Sequence, residues 1–437
     1  MTRRSVVFRR WLLGILAVVA IAIVGLFVIA WRPSIAPIDP PAAGSFPPER
    51  VARGAVLAGA GYCATCHTAR GGTRYAGGYP MATAFGTIHS TNITPDPDTG
   101  IGRWSEAAFV RAMRSGVARD GTHLFPAFPF DHFTKVTDQD LGDLYAFLMS
   151  QSPVAAPPHE NTVPFPLNVR ALQAGWKLLF LRKGVFEPDP ARSEAWNRGA
   201  YLAEGLSHCG ACHTPRNAVG AERRSAAYAG ALVDGWEAPP LTAANPAPVP
   251  WNEDALYAYL RSGVSALHGS AAGSMSEVVH EGLSKLPDAD IRALAVYFAD
   301  VSGAAARADR GDAAVAAALA ASGQAPSSAS DTGAELYRAA CASCHYNRAP
   351  APLTARPELA LVSALGSDDP TNLIRVVLEG IGVDEGMPGV LMPPFAHLSD
   401  AELATLAAYL RRTRTTRPPW PDLEAKIAEV RRHAAGA

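Results

Sequence analysis

The chain lacks most of the features that mark a functional class. Basic and acidic residues nearly cancel, 39 against 40, so no positive excess points to nucleic acid and no acidic tail to a basic partner. It has no glycine-rich nucleotide loop, no serine elbow, and no metal-ligand cluster apart from the motifs below. Strand signal is slight, and the abundant alanine, glycine and proline suit short helices joined by irregular loops. Cysteine is sparse, six in 437 residues, and every one lies in a C-x-x-C-H run: Cys63-Ala64-Thr65-Cys66-His67, Cys209-Gly210-Ala211-Cys212-His213 and Cys341-Ala342-Ser343-Cys344-His345. None is left for a structural disulfide, which excludes a disulfide scaffold.

Two thiols three residues apart share one helical turn and can add to the two vinyl groups of a haem, while the next histidine turns its imidazole to the iron. A redox C-x-x-C pair or half a zinc site would account for one such motif. Neither accounts for three, each with histidine directly after the second cysteine. The expected cofactor is therefore haem c, three per chain, held through Cys63 and Cys66, Cys209 and Cys212, and Cys341 and Cys344, with His67, His213 and His345 as proximal ligands.

The motif-bearing segments are internal repeats. Each motif follows a short helix opened by a glycine: Arg53-Gly54, Arg198-Gly199 and Thr332-Gly333. Downstream, the run from Trp104 to Val117 mirrors that from Trp251 to Val264, with Ser105 and Asn252 placed as N-caps. In the third segment Asp369-Pro370 reads as an N-cap followed by a first-turn proline, and the helix ends at Gly380. Closing helices are expected at Asp138 to Met149, Asp288 to Val301 and beyond Ser399-x-x-Glu402, a capping box. The fold class is all-α: three consecutive cytochrome c-like haem domains, with the haem completing a core that so few residues cannot build alone.

Distal ligands follow from the same repeat. Twelve residues beyond the helix-ending glycine, Gly263 leads to Met275 and Gly380 leads to Met392, in Met-Pro-Pro-Phe. A thioether opposite histidine raises haem potential, as an electron carrier requires; Met387 is a competitor at the third site. From Gly116 the count lands on Phe128, which cannot bind iron. The first site is then five-coordinate or takes a substitute, with His132 preferred over His123, Met81 and His89.

The N-terminus reads as an anchor. Trp11 to Trp31 carries no charged residue and follows Arg3, Arg4, Arg9 and Arg10. As a helix it would be about 31 Å long, the hydrocarbon thickness of a bilayer. The arginines would hold residues 1–10 in the cytoplasm and place the haem domains on the periplasmic side of the bacterial inner membrane, as a single-pass protein. A cleaved signal peptide is the alternative, although its apolar core is normally only about 7–15 residues. The remaining divisions are a proline-rich spacer at 32–48, domain 1 at 49–152, a linker at 153–190, domain 2 at 191–303, an Ala/Ser/Gly linker at 304–329 with a possible helix from Asp312 to Ala321, domain 3 at 330–415 and a tail at 416–437.

The stretches Phe85 to Asp96 (FGTIHSTNITPD), Cys209 to Asn217 (CGACHTPRN) and Asp369 to Leu378 (DPTNLIRVVL) resemble the three-haem cytochrome c subunits of bacterial membrane-bound dehydrogenases. The resemblance implies an electron-transfer subunit with no substrate site of its own. It implies a dehydrogenase large subunit of quinoprotein, flavoprotein or molybdenum type as partner, and ubiquinone or a terminal oxidase as acceptor. Pro126-Ala127-Phe128-Pro129 with Asp131-His132-Phe133 looks more like the subunits paired with molybdenum-containing aldehyde or N-heterocycle oxidoreductases. The competing reading is a haem enzyme acting on a small ligand such as peroxide at an open first haem.

Overall fold

Three helix crossings, each made at a glycine, organise the fold. In the computed structural model, which describes residues 3–42, 44–322, 331–345, 351–354, 357–382 and 392–435, helix Pro48–Ala60 crosses helix Asp138–Met149 at Gly54, where an added Cβ would lie 2.0 Å from the Asp143 carbonyl oxygen. Helix Glu194–Glu204 meets helix Asp288–Val301 at Gly199, with a Cβ 2.0 Å from the Ala293 carbonyl oxygen. Helix Thr332–Ala340 meets helix Asp400–Arg414 at Gly333, where a Cβ would lie 2.5 Å from that of Tyr409. Backbones this close tolerate no side chain, and the contact lays the helix before each motif on the helix that closes the same repeat.

The chain divides into two compact units, Met1–Ala55 with Cys66–Phe186, and Val56–Thr65 with Glu187–Ala437. In the first, helices Glu106–Ser115 and Asp138–Met149 bury Phe109, Met113, Leu141, Leu144 and Leu148. Helix Leu172–Phe180 adds Trp176 edge-on to Phe130. It also adds Lys177, whose Nζ donates to the carbonyls of Ser115 and Gly116 (2.9 and 2.8 Å) and so caps helix Glu106–Ser115. In the second unit, helices Glu253–Ser262 and Asp288–Val301 and helices Thr371–Glu379 and Asp400–Arg414 supply the apolar core. Strand is confined to three two-stranded antiparallel ribbons among the described residues: Pro80–Thr83 with Gly86–His89, Ala231–Val233 with Trp236–Ala238, and Val264–Ser265 with Gly269–Ser270.

The local signals in the sequence act as expected. Ser105 and Asn252 accept from the backbone N–H groups of Ala108 and Ala255, and Ser399 with Glu402 forms the capping box. Helices Asp138–Met149 and Asp288–Val301 fall where the pattern puts them. The cap at Asp369 is displaced by one residue: Pro370 is the boundary residue, and Asp369 Oδ1 accepts instead from the Thr371 N–H at 2.8 Å.

One expectation requires correction. Helix Arg3–Ala30 forms, but among the described residues no helix is long and apolar enough to cross a membrane. The transmembrane helix, and with it the single-pass inner-membrane localisation, is therefore not supported. The alanine linker packs as well as connects: Ala318 on helix Asp309–Ser322 is buried with Val249 and Leu361. The C-terminal tail packs rather than trails: Trp420, Ile427 and Val430 join the core around Ile374 and Leu406. Trp420 Nε1 donates to the Ser367 carbonyl at 2.9 Å, under the Arg411 guanidinium.

A buried carboxylate fastens the first crossing. Asp143, 2 % exposed, receives Arg53 Nε at 2.7 Å and Arg50 Nε at 3.0 Å; Arg198 and Asp290 repeat the pair at 2.7 Å. Burial pushes the Asp143 carboxyl up, but hydrogen bonds from Arg53 and Arg50 outweigh it and hold it below the usual carboxylate range. A depressed folded value means that this stabilisation is complete above the unfolded value of about 3.9 and is lost as pH falls through the folded one. Asp143→Asn should cost about 2 kcal/mol at neutral pH. It should also flatten the acid limb of a melting-temperature profile, and a profile parallel to wild type from about pH 6 to about pH 2 would refute the assignment.

Candidate haem-attachment sites

Each C-x-x-C-H run forms one helical turn: Cys63–Cys66 in the first, Gly210–His213 after Cys209 in the second, and Ala342–His345 after Cys341 in the third. The His213 N–H donates to the Cys209 carbonyl and that of His345 to Cys341, at 3.0 and 2.9 Å. Positions i and i+3 of such a turn lie on one face, so the paired thiols point the same way. No disulfide joins any of the six.

The histidines share a second feature. His67 Nδ1 lies 2.7 Å from the Thr91 carbonyl, His213 Nδ1 2.7 Å from that of Pro239, and His345 Nδ1 3.2 Å from that of Pro357. A carbonyl only accepts, so Nδ1 carries the hydrogen in all three, and the lone pair resides on Nε2. That is the tautomer and anchoring of an imidazole prepared for a metal. Burial lowers the pKa of each ring against the opposing pull of that backbone bond, which keeps the rings neutral. Thr91 and Pro239 follow antiparallel hairpins, Pro80–Thr83 with Gly86–His89 and Ala231–Val233 with Trp236–Ala238. These backbone acceptors are invisible to motif reading, since any residue type supplies a carbonyl.

The thiols distinguish the possible uses of the motif. Burial pushes Cys209 up to about 12 and Cys212 and Cys341 up to about 11. A redox pair or a zinc site needs thiolate and places its cysteines in electropositive surroundings. These cysteines have the opposite environment, one that suits thioether bonds to an apolar macrocycle. The residues present fit haem c.

On the distal side, Met275 lies half-buried in the turn Ser274–Glu277, directly after Gly273. Met392 is half-buried against the core containing Val377 and Leu378, and its N–H and carbonyl pair with Ile381 at 3.1 and 2.9 Å. The common offset of twelve residues conceals a difference in register. Val117 bridges to His123 and Val264 to Ser270, each seven residues past its glycine, whereas Ile381 bridges to Met392 itself. The methionines are reached along different paths. Met387 lies outside the described residues.

At the first site Phe128 stands edge-on to Phe133, with ring centroids 5.2 Å apart, and His132 is buried on the turn Phe130–Phe133. His123 is also buried; its Nε2 donates to the Ala30 carbonyl at 2.7 Å, and its Nδ1 meets no hydrogen-bond partner among the described residues. Met81 and His89 belong to the hairpin, His89 stacking on His159 with centroids 5.4 Å apart.

Residues 51–152 match the family model described as Cytochrome c, and residues 328–410 that described as Cytochrome C oxidase, cbb3-type, subunit III. The chain is 48% identical over 98% of its length to a nicotinate dehydrogenase subunit of Pseudomonas putida, of which it spans 36%. It is 37% identical over 86% of its length to the fructose dehydrogenase cytochrome subunit of Gluconobacter japonicus, spanning 81% of that protein. It is 39% identical over 83% of its length to the gluconate 2-dehydrogenase cytochrome c subunit of Pantoea cypripedii, spanning 85%. The chain belongs to the cytochrome c subunits of dehydrogenases. Membership makes haem c its cofactor, in agreement with the anchored imidazoles and with the raised thiols of Cys209, Cys212 and Cys341. The chain corresponds to only about a third of the nicotinate dehydrogenase subunit.

Proposed function

We propose that this cytochrome c subunit carries three haems, one on each C-x-x-C-H turn, and conducts electrons from a dehydrogenase large subunit to ubiquinone or a terminal oxidase. The observation that supports three is the repetition of the Nδ1-to-carbonyl anchor at His67, His213 and His345. Bound haem supplies an iron that takes up and returns one electron. The chain's residues would do the rest: the cysteines would hold the macrocycle, the anchored histidines would present Nε2, and Met275 and Met392 would supply thioethers at the second and third sites. At the first site His132 would serve as the ligand in place of a methionine, and nitrogen ligation would lower that potential relative to its siblings.

The partner we propose is a molybdenum-containing oxidoreductase of N-heterocycles. The higher identity to the nicotinate dehydrogenase subunit than to the fructose and gluconate relatives supports it, as does Phe128 in place of a methionine. Affinity purification of the chain should recover a large subunit containing molybdenum, and anaerobic addition of that subunit's substrate should reduce the haems within the enzyme's turnover time. Recovery of a quinoprotein or flavoprotein instead would overturn the partner, and haems that stay oxidised while substrate is consumed would overturn the function.

Phe128 also bears on a second reading, an open first haem that reacts with peroxide. With His132 ligated, the reduced protein should form no carbon monoxide adduct, whereas His132→Ala should form one on a single haem. An adduct in the wild type would favour the enzyme reading.

A further inference from the structure

The second site contains a device that no sequence motif marks. The hairpin Ala231–Val233 with Trp236–Ala238 begins and ends on the proximal histidine. Before it, the Gly230 N–H donates to the His213 carbonyl at 2.8 Å; after it, the Pro239 carbonyl accepts from His213 Nδ1 at 2.7 Å. Its far end reaches the residues before Met275. A Cβ added to Gly273, whose φ is +55°, would lie 2.3 Å from Cε2 and Nε1 of Trp236, so the indole rests on bare backbone there. Ser274 Oγ donates to Asp234 Oδ2 at 3.1 Å. One ribbon thus touches the supports of both axial ligands of the second haem.

The ribbon is clamped from outside by helix Thr371–Glu379 of the third repeat. The Arg375 guanidinium lies 4.3 Å from the centre of the Trp236 ring and donates to the Asp234 carbonyl at 2.8 Å, with Glu379 holding its other edge at 2.7 and 3.1 Å. Asn372 makes a reciprocal pair with the Glu237 backbone, both bonds 2.8 Å, and Ser367 Oγ donates to Glu237 Oε2 at 2.6 Å. The same helix ends at Gly380, next to the Ile381–Met392 pair of the third site. Tip, edge and base are all fastened, so the ribbon has little freedom to move independently of that helix.

We infer that this hairpin is a strut that sets the spacing of the second haem's two axial ligands, with Trp236 and Arg375 as positioning residues, so that the potential of the second haem depends on the third repeat. This rests on the reading of Met275 as a ligand. Loosening the strut weakens the thioether bond, and a weaker bond lowers the potential, because the Met/His pair is what raises it.

The test uses the full chain loaded with haem. Variants Arg375→Ala, Trp236→Leu and Met275→Ala are compared by spectroelectrochemical titration and by the weak far-red ferric band of methionine–iron ligation, with covalent haem content as the control. Met275→Ala should abolish that band for one haem and thereby mark the second haem; an unchanged band would sink the ligand reading itself. Given that mark, Arg375→Ala should retain full haem content. It should also lower the reduced-to-oxidised ratio of the second haem roughly tenfold at a fixed ambient potential, the scale of losing one desolvated cation–π contact. Trp236→Leu should do at least as much, and Trp236→Phe should restore most of it. If Arg375→Ala and Trp236→Leu leave both the potential and the band of the marked haem unchanged, the strut is refuted while the ligand stands.

Discussion

Replacing Gly199 with valine is expected to unfold the second C-x-x-C-H repeat. The new Cβ would lie 2.0 Å from the Ala293 carbonyl oxygen and 2.8 Å from the Tyr297 Cβ. The obstacle is the backbone of helix Asp288–Val301, which cannot rotate aside as a flexible side chain could. Separating the helices would also pull Arg198 from Asp290 and expose the apolar face carrying Ile291 and Leu294. Overpacking into a tight core costs about 1–3 kcal/mol where side chains give way, and here the cost should exceed that range. With domain stabilities of about 5–15 kcal/mol, chemical denaturation should show a destabilised or missing transition. Gly175→Ala is the matched control, since it lies within helix Leu172–Phe180 with nothing within 4 Å of a new Cβ. It should stabilise by about 0.5–1 kcal/mol. Equal effects at the two positions would refute the helix-crossing account.

The second large effect is expected from Cys209→Ser combined with Cys212→Ser. Both thioether attachments at the second site disappear, and His213 alone cannot retain the cofactor covalently. The repeat would also lose part of its core, because Tyr228, Val264 and Leu283 are buried in a segment that on its own is small for a stable domain. The double variant should carry one haem fewer per chain, and limited proteolysis should cut within 191–303 while the other repeats persist. Full haem content would contradict the attachment outright.

How much of this is legible in the sequence depends on whether the signal is carried by residue type. Caps are readable because only a short polar side chain can bond the first-turn N–H groups, as at Ser105, Asn252 and the Ser399–Glu402 box. The glycines at 54, 199 and 333 show as a recurrence, but their role emerges only with the facing helix, whose backbone sets the clearance. The carbonyls of Thr91, Pro239 and Pro357 have no signal at all, since every residue has one. The hairpins escape sequence reading because three- and four-residue strands are too short to show alternation. The tail at 416–437 is hard to read as part of a core for a related reason, since Trp420, Ile427 and Val430 supply only three anchors. The N-terminal segment reads as an anchor from the uncharged run Trp11 to Trp31 and the arginines before it, whereas among the described residues no helix is long and apolar enough to cross a membrane.

The site is legible at its covalent ends and obscure between them. The second cysteine and its histidine are adjacent in sequence, so the proximal side can be named residue by residue. The distal side depends on loop path, and the differing registers at Ser270 and Met392 show that an equal count of residues does not mean an equal position. His132 and His123 are both buried, so burial does not choose between the candidates that sequence spacing leaves open at the first site.

Mass spectrometry of the intact chain under denaturing conditions tests the central claim most directly. Non-covalent cofactors are shed and only thioether-linked haem remains. The account predicts the polypeptide plus three haems as the dominant species, falling to two in the Cys209→Ser, Cys212→Ser variant. A dominant species with fewer than three haems, or one with cysteines paired as disulfides, would contradict it.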